Sequence, residues 1–434
     1  MHKLEYPAIG ETLYRETLSN GLRLSVVTKP GYTRSFAFFA TEYGGADRRF
    51  QLNGSYIDTP MGVAHYLEHK MFDMPEGDNA LSVLAANGAQ PNAYTASGIT
   101  AYHFESTDRF LENLRMLLRF VSTPYFTEES VAKERGIIGQ EIRMGEDDPD
   151  QVVYQELMRC LYASHPIRDR VAGTVESIAL ITPETLYHCH EIFYNPGNMA
   201  LAVVGDVDPE AVLAAAREML PEEKGPVPVR DYGAPESPLP ASPRFRRAME
   251  VSAPQFILGA KLPAGGRGEA LLRQKVLSDL AISYLYGQTS PFYNRLYEQG
   301  LLNTDFFADL DYAADTMTLL AGGESRDPEA VFEALLREAD AAARNGLDPA
   351  YFSRVKKSGY GSRLRALSSF GGLCGSLADA DFGGYNCLDA FAVLESLNAR
   401  DVEEFIGENL RAERFAMSVV SPAAVPGGEA AADA

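Results

Sequence analysis

The chain has 434 residues, of which 46% are hydrophobic and 23% charged, a composition typical of a globular protein with two or three domains. No apolar run reaches the roughly eighteen residues that a membrane-spanning helix needs, so we expect no membrane association. The net charge of −21 argues against a nucleic-acid partner.

The N-terminal segment, MHKLEYPAIGETLYRE, is polar and has no apolar signal core, which predicts a cytoplasmic protein. None of the four cysteines belongs to a C-x-x-C pair. In a reducing compartment we expect free thiols, most of them buried, at Cys160, Cys189, Cys374 and Cys387.

The first predicted elements are strands, followed by a helix. An Asn-Gly pair at residues 20–21 predicts a hairpin, and a further strand covers residues 35–45. The next segment, GVAHYLEHKMF at residues 62–72, predicts a helix with Thr59 as its N-cap and Pro60 in its first turn. The helix should bury an apolar stripe made of Ala64, Leu67 and Met71.

The elements that follow mix strands and helices. A short helix ends at Gly88, and two strands over residues 90–106 pair across a turn at residues 97–98. An amphipathic helix covers residues 111–121, and another follows the N-cap Thr127. This order lacks strict βαβ alternation and predicts an α+β fold of sheets and helices.

A proline-rich segment, residues 221–243, holds seven of the 25 prolines and predicts a linker. It separates a domain at 1–220 from a domain at 244–425, with a flexible tail at 426–434. A weak repeat supports two homologous halves, because the segments beginning at Ile181 and Leu397 both read as a capped helix, a turn and an apolar strand.

Two further patterns have simple interpretations. The histidines of the HCH sequence at residues 188–190 point in different directions on a helix, so a surface helix is favoured over a metal site. The glycine-rich stretches near Gly265 and Gly372 match no phosphate-binding motif and are predicted to be loops.

The chemistry of the chain is concentrated in H-x-x-E-H. His65 and His69 lie four residues apart, on one face of the predicted helix, where two imidazoles can bind one Zn²⁺. Glu68 can reach the same face and accept a proton from an activated water. By chance this pattern should occur in about one chain of this length in a hundred, so zinc binding is favoured over coincidence.

A third ligand is expected on a separate element. Glu134 and Glu141 lie seven residues apart, which places them on one face of the helix after Thr127. That face is either an acidic surface or part of the metal site. Apolar neighbours, at Ile137, Ile138 and Ile142, predict a substantially buried helix, whose carboxylates would need a cation or hydrogen-bond donors.

This spacing of H-x-x-E-H and E-x(6)-E resembles the insulinase/pitrilysin family of zinc metallopeptidases, the inverzincins. NAYTASGITAYHFES, YNPGNMALAVVGD and the two-half layout also look like that family, closely in the first half and loosely in the second. The resemblance implies two homologous sheet-plus-helix domains of the metallopeptidase (LuxS-like) kind. They would form half of a clam-shell around a chamber.

The resemblance also implies site roles. Glu68 matches the catalytic general base, and Glu134 matches an acid that supports the site from behind the ligands. The residues that match the zinc ligands are His65, His69 and Glu141. The family binds peptide as an added strand, and the matching substrate-binding residues are Asn92, Ala93 and Thr95.

The second half departs from the family pattern. Active members carry an Arg and a Tyr, seven residues apart, that hold substrate and stabilise the oxyanion. In SPFYNRLYEQGLLNT the Arg place holds Tyr297, and the Tyr place holds Asn303 or Thr304, depending on a one-residue gap. Arg295 and Tyr293 lie nearby in the wrong register.

Together these patterns predict a zinc metalloendopeptidase, or its catalytic subunit, with one Zn²⁺ per chain and with peptides or small unfolded proteins as substrates. We expect a dimer, either a homodimer or a heterodimer with a paralogue that lacks H-x-x-E-H. The alternative is a non-catalytic structural subunit on the same scaffold. Such family members usually lose the H-x-x-E-H residues, which are all present here.

Overall fold

A computed structural model describes residues 1–75 and 77–423. The first half is built around one large sheet of seven strands. In chain order the elements up to residue 219 are β1 (His2–Tyr6), β2 (Glu11–Thr17), β3 (Arg23–Thr28), β4 (Ser35–Thr41), β5 (Arg49–Leu52), β6 (Ser55–Asp58), α1 (Val63–Lys70), α2 (Ala80–Ala86), β7 (Ala89–Thr95), β8 (Thr100–Ser106), α3 (Phe110–Ser122), α4 (Glu128–Asp147), α5 (Pro149–Leu161), α6 (Val175–Ile178), α7 (Pro183–Phe193), β9 (Met199–Gly205) and α8 (Pro209–Met219).

The large sheet has the strand order β1-β2-β3-β9-β4-β8-β7, so β7 is an edge strand. β2 and β3 form the hairpin predicted at residues 20–21, and β7 and β8 pair across the turn predicted at residues 97–98. Thr127 caps α4 as expected, through a reciprocal bond with Ser130. Every residue of β9 is buried, because both faces of the sheet are covered.

The second half is built around a five-stranded sheet. Its elements, with one short strand before them, are β10 (Val229–Arg230), β11 (Arg244–Met249), β12 (Gln255–Leu262), α9 (Glu269–Tyr286), α10 (Pro291–Glu298), β13 (Phe307–Ala313), β14 (Thr316–Glu324), α11 (Pro328–Asn345), α12 (Pro349–Ala366), α13 (Phe370–Gly383), α14 (Ala390–Ser396), α15 (Ala399–Asn409) and β15 (Phe415–Pro422).

The two halves repeat the same topology. The second sheet has the order β11-β15-β12-β14-β13, which matches β3-β9-β4-β8-β7 of the first. The sequence repeat corresponds to α7 and β9 in the first half and to α15 and β15 in the second. The two helices begin 216 residues apart (399 − 183), and so do the two strands (415 − 199). β9 and β15 each have one parallel and one antiparallel neighbour. The predicted α+β fold with two homologous halves is confirmed.

Helix α5 of the first half packs on the sheet of the second half. It lies across β12 and β15, and its residues Leu157 and Leu161 share a buried cluster with Ile257 and Val420. Gly259 of β12 makes room for it, since a Cβ atom there would lie 3.0 Å from the Leu157 side chain. The first half therefore supplies part of the core of the second.

Helix α13 of the second half makes the reciprocal contact. It covers β4 and β9, and its residue Leu377 shares a buried cluster with Phe38 and Val204. The prediction of a loop near Gly372 is wrong, because burial against the first sheet stabilises a helix through this glycine-rich stretch. The stretch near Gly265 is a loop, as expected.

The proline-rich segment lies against the first half. Residues 221–243 contain β10 and no other helix or strand, and β10 pairs with β5. Asn20 donates to the Pro221 carbonyl oxygen at 2.7 Å. The domain limits given above remain predictions, and the tail at 426–434 lies outside the described residues.

All four cysteines are free, and only Cys387 is not fully buried, as predicted. The prediction of a surface helix at the HCH sequence is wrong in part. Cys189 and His190 are buried on the inner face of α7, and His190 Nε2 bonds the Val121 carbonyl oxygen at 3.0 Å. Burial lowers the pKa of His190 to about 4, so it is neutral.

Among the described helices, none is long and apolar enough to cross a membrane.

The helix exchange predicts that α13 stabilises the first half. Leu377→Ala removes a side chain that is 2% exposed at this contact and should lower the free energy of unfolding by about 2–4 kcal/mol. Leu180→Ala, at a side chain that is 68% exposed, is the matched control and should change it by less than about 0.5 kcal/mol. Urea unfolding followed by circular dichroism measures both. Equal effects of the two variants would contradict the packing role of α13.

Candidate metal centre

The helix that carries the two histidines begins later than predicted. Gly62 is its N-cap in the left-handed conformation, with φ 91°, so α1 starts at Val63 and excludes Thr59 and Pro60. A Cβ atom on Gly62 would lie 2.6 Å from the Ala172 carbonyl oxygen. Both the backbone angle and this close approach require glycine here.

His65 and His69 project from one face of α1, with ring centroids 4.6 Å apart. The other faces of the helix are anchored, because the predicted stripe is buried at Ala64, Leu67 and Met71. His65 is only 8% exposed. Its Nδ1 is buried and makes no hydrogen bond within the described residues.

Glu141 on α4 reaches both histidines. Its Oε1 lies 3.3 Å from His65 Nε2, and its Oε2 lies 3.6 Å from His69 Nε2. One ligand atom from each of the three residues lies within 4.8 Å of the others. Tetrahedral Zn²⁺ with bonds of 2.0–2.2 Å separates its ligands by about 3.4 Å, so these three residues fit a zinc ion.

Glu134 supports the site from behind His69. Its Oε1 bonds His69 Nδ1 at 3.0 Å, which leaves Nε2 directed at Glu141, and Lys70 Nζ lies 3.8 Å from its Oε2. Burial opposes charging of His69, but the bond to Glu134 and the surrounding carboxylates raise its pKa. The same bond lowers the pKa of Glu134, and a bond to His65 lowers the pKa of Glu141. Ionised carboxylates facing imidazoles favour a bound cation.

Glu68 is half-buried and held in place by the edge of the large sheet. Thr95, the last residue of β7, donates its hydroxyl to Glu68 Oε2 at 2.9 Å. Thr100, opposite Thr95 on β8, places its hydroxyl 3.3 Å from that of Thr95. The carboxylate of Glu68 therefore faces the end of β7 beside the histidines, and the Glu141 oxygens face the Nε2 atoms.

The helix α4 is less buried than the sequence suggested. Ile138 and Ile142 are in the core, but Ile137 is 49% exposed and the side chain of Glu141 is also 49% exposed. The expectation that apolar residues surround both acids is therefore wrong. The Glu141 side chain faces solvent, whereas the Glu134 side chain is 16% exposed and lies behind His69.

The predicted substrate strand is the outer edge of the sheet. Asn92 and Ala93 lie on β7, which pairs, among the strands of the described ranges, with β8 alone. The Asn92 side-chain oxygen accepts a hydrogen bond from the Ala93 N–H at 2.8 Å. A strand with a free edge next to Thr95 and Glu68 can pair with an extended peptide.

The described part of the second half, up to residue 423, offers no equivalent metal site. All seven histidines of the sequence precede residue 191, and α9, the first helix after β12, contains none. Tyr297 is 51% exposed on α10 and stacks on Tyr293, whose hydroxyl bonds the Asn303 carbonyl oxygen at 3.1 Å. Arg295 pairs with Glu338 at 2.9 Å. These side chains serve the packing of the second half.

A cavity of about 290 Å³ opens beside the metal centre. The walls of this cavity that lie opposite the histidine helix come from α5 and from the loop before α6. Because these segments are far apart in the chain, the sequence did not predict that they meet here. Its lining residues include His65, Thr95, Glu141, Tyr154, Arg170 and Val171. Tyr154 bonds Asp311 of β13 at 3.0 Å, so the second half supports this wall.

The fold and the site define a two-domain α+β protein with a candidate H-x-x-E-H metal centre. The family model described as Insulinase (Peptidase family M16) matches residues 53–175, and the model described as Peptidase M16 inactive domain matches residues 180–358. An uncharacterized zinc protease of Bacillus subtilis, YmfH, is 36% identical over 432 residues, which cover 96% of this chain and 99% of that protein. The chain belongs to the insulinase family, M16, as its motifs suggested.

Solved structures agree with this assignment. A protein of Alicyclobacillus acidocaldarius described as an M16-like peptidase superposes with a TM-score of 0.92 at 33% identity, covering 97% of this chain and 100% of that one. A protease from Helicobacter pylori shares the fold with a TM-score of 0.79 at 19% identity, covering 94% and 99%. Relatives named as zinc proteases thus share the fold of this chain, in which His65, His69 and Glu141 form a candidate metal site.

The position of Glu134 predicts a measurable effect on metal affinity. Glu134→Gln weakens the acceptor that orients His69 and should lower zinc affinity by about 10–100-fold. Glu128→Gln removes an exposed carboxylate from the first turn of the same helix and should leave the affinity unchanged. Competition with a chromogenic chelator measures both. Equal affinities for the two variants would mean that Glu134 has no supporting role.

Proposed function

We propose that this protein is a zinc metalloendopeptidase, or the catalytic subunit of one, that hydrolyses peptides or small unfolded proteins. The observation that carries the proposal is the convergence of His65, His69 and Glu141 with Glu68 and the free edge of β7 at one place. The four free cysteines favour a cytoplasmic location.

The ligands in this proposal are His65, His69 and Glu141. A zinc ion held there would supply Lewis-acid chemistry, polarising a peptide carbonyl and making water a better nucleophile. Glu68, oriented by Thr95, accepts the proton of the attacking water and delivers it to the leaving amine. Glu134 holds His69 in the orientation that directs Nε2 toward Glu141.

The substrate in this proposal is an extended peptide that pairs with β7. Main-chain pairing beside Asn92 and Ala93 selects for an unfolded backbone and little for sequence. Such a mode suits peptides and unfolded segments, and it is supported by the uncovered edge of β7 in this chain. A second chain, closing over this edge, would complete the clam-shell chamber.

The role of Glu68 gives the direct test of this function. Glu68→Gln keeps the size of the side chain but cannot take the proton, so zinc content should be unchanged and peptidase activity should fall at least about a hundredfold. Glu129→Gln, an exposed carboxylate on α4, is the control and should keep full activity. Metal analysis and a fluorogenic-peptide assay provide the readouts. Equal peptidase activity in the wild type and Glu68→Gln would contradict the role of Glu68 as the base, and a wild type that cleaves no peptide, alone or with a paralogue, would favour a non-catalytic structural subunit.

We also propose a heterodimer with a homologue that lacks H-x-x-E-H. The reason is chemical, since hydrolysis needs charge stabilisation that neither Tyr297 nor Asn303 can supply in place of a guanidinium. The homologue would contribute the Arg and Tyr from across the chamber. A homodimer of weaker activity is the alternative.

Co-expression distinguishes the two assemblies. With the paralogue present, we expect a 1:1 complex by sizing with multi-angle light scattering and at least about a tenfold gain in cleavage of a fluorogenic peptide. An Arg→Ala variant of the paralogue should assemble and lose the gain. Full activity from this chain alone, with no increase on adding the paralogue, would rule out the heterodimer as a requirement.

A further inference from the structure

The cavity beside the metal centre is lined by three groups of residues. His65, Glu141 and Thr95 form the side next to the reacting groups, and Ile142 and Val171 form an apolar side. The remaining lining residues are polar or small, namely Gln151, Tyr154, Gln155, Arg170 and Ala172. With about 290 Å³, the cavity can hold one side chain or one chain terminus of a peptide. A group bound there would lie directly beside the proposed scissile bond.

Arg170 is the only cationic side chain among the described residues of this lining, and its loop is firmly held. Asp169, its neighbour, pairs with Arg48 at 2.8 Å. Val171 approaches Gly45 so closely that a Cβ atom on that glycine would lie 2.8 Å from the Val171 Cα. The loop is therefore fixed on both sides of Arg170, which presents a preorganised cation to the cavity.

The guanidinium of Arg170 rests against α4. A Cβ atom on Gly145 would lie 3.0 Å from Arg170 Nη1, so the absence of a side chain there leaves room for it. Gly145 is one helical turn, about 6 Å along the axis, beyond the ligand Glu141. Arg170 thus lines the same cavity as His65 and Glu141.

This cation is half-buried, and no counter-ion pairs with it among the described residues. Within residues 1–75 and 77–423 its guanidinium makes neither a hydrogen bond nor an ion pair. The nearby charges balance, since two acids and two bases face it, and one of those acids is already paired (Glu156 with Arg159, at 2.7 Å). A partly desolvated guanidinium without a partner is a ready site for a carboxylate, which it can bind through two parallel hydrogen bonds.

We propose that this cavity binds a carboxylate of the peptide substrate, with Arg170 as the residue that recognises it. The carboxylate can come from an Asp or Glu side chain near the scissile bond, or from the C-terminus of a short peptide. This inference rests on the proposed peptidase function and adds a substrate preference to it. A preference for carboxylates is opposite to what the net charge of −21 favours, since that charge repels acidic peptides elsewhere on the surface.

Binding to an inactive protein tests the proposal without cleavage. The probes are labelled peptides of equal length: one neutral and amidated with a central Gln, one with Glu in that place, and one neutral with a free C-terminal carboxylate. Fluorescence anisotropy on zinc-loaded Glu68→Gln protein gives the affinities. We expect at least one carboxylate peptide to bind about tenfold more tightly than the neutral one, the scale of one charge-assisted bond. Comparison of the two carboxylate peptides identifies the source.

The preference should depend on Arg170. The affinity ratio is the affinity for a carboxylate peptide divided by that for the neutral peptide. In the Glu68→Gln protein, a further Arg170→Gln substitution should reduce this ratio to about one, and Arg170→Lys, which keeps the charge, should retain part of the preference. Arg337→Gln removes a charge from an exposed helix of the second half and should leave the ratio unchanged. Circular dichroism and zinc content establish that each variant is folded.

The outcomes separate the two proposals. A ratio near one in the Glu68→Gln protein, or a ratio that survives Arg170→Gln, overturns the carboxylate site. Peptide cleavage by the wild type in either case leaves the peptidase function standing. An Arg170-dependent ratio in a protein that cleaves no peptide, alone or with a paralogue, supports the site and overturns the peptidase function instead.

Discussion

The exchange of helices between the two halves is the constraint on which the rest of the structure depends. α5 lies on the second sheet and α13 lies on the first, so neither half completes its core alone. α4, which carries Glu134 and Glu141, runs into α5 through Asp148, the cap of α5. Because α5 is fixed on the second sheet, the position of the acidic helix relative to α1 is set by both halves. The second half, which has no histidine, thereby helps to build a metal centre that lies in the first.

The local electrostatics of the centre follow from this placement. Two imidazoles and two carboxylates are held in pairs, His65 with Glu141 and His69 with Glu134, and the nearby ammonium of Lys70 neutralises only part of the negative charge. The pairs direct both Nε2 atoms at one carboxylate, which is the arrangement that a tetrahedral cation requires. Glu68 lies outside these pairs, because the Thr95 hydroxyl bonds its carboxylate at the end of β7.

Glycines determine how closely the surrounding segments approach the centre. Gly62 begins α1 in a conformation that other residues rarely adopt and admits the Ala172 carbonyl, and Gly145 leaves room for Arg170 on α4. The same loop thus supports the start of the histidine helix and forms a wall of the neighbouring cavity. The candidate metal site, Arg170 and the end of β7 at Thr95 therefore line one cavity rather than forming separate features.

The sequence by itself determined the parts that depend on local spacing. The pairing of His65 with His69, the hairpins, the cap at Thr127 and the helix–turn–strand repeat follow from periodicity and turn chemistry. Spacing also offered Glu134 and Glu141, and the family resemblance then assigned their roles. Only the tertiary structure decided the rest. Burial against the other half turned the glycine-rich segment near Gly372 into a helix, the contact with Ala172 moved the start of α1 to Val63, and packing left Ile137 and Glu141 half-exposed on α4. The position of Arg170 in the cavity was also decided by the tertiary structure. It depends on contacts between segments distant in the chain, and such contacts leave no periodic signal in the sequence.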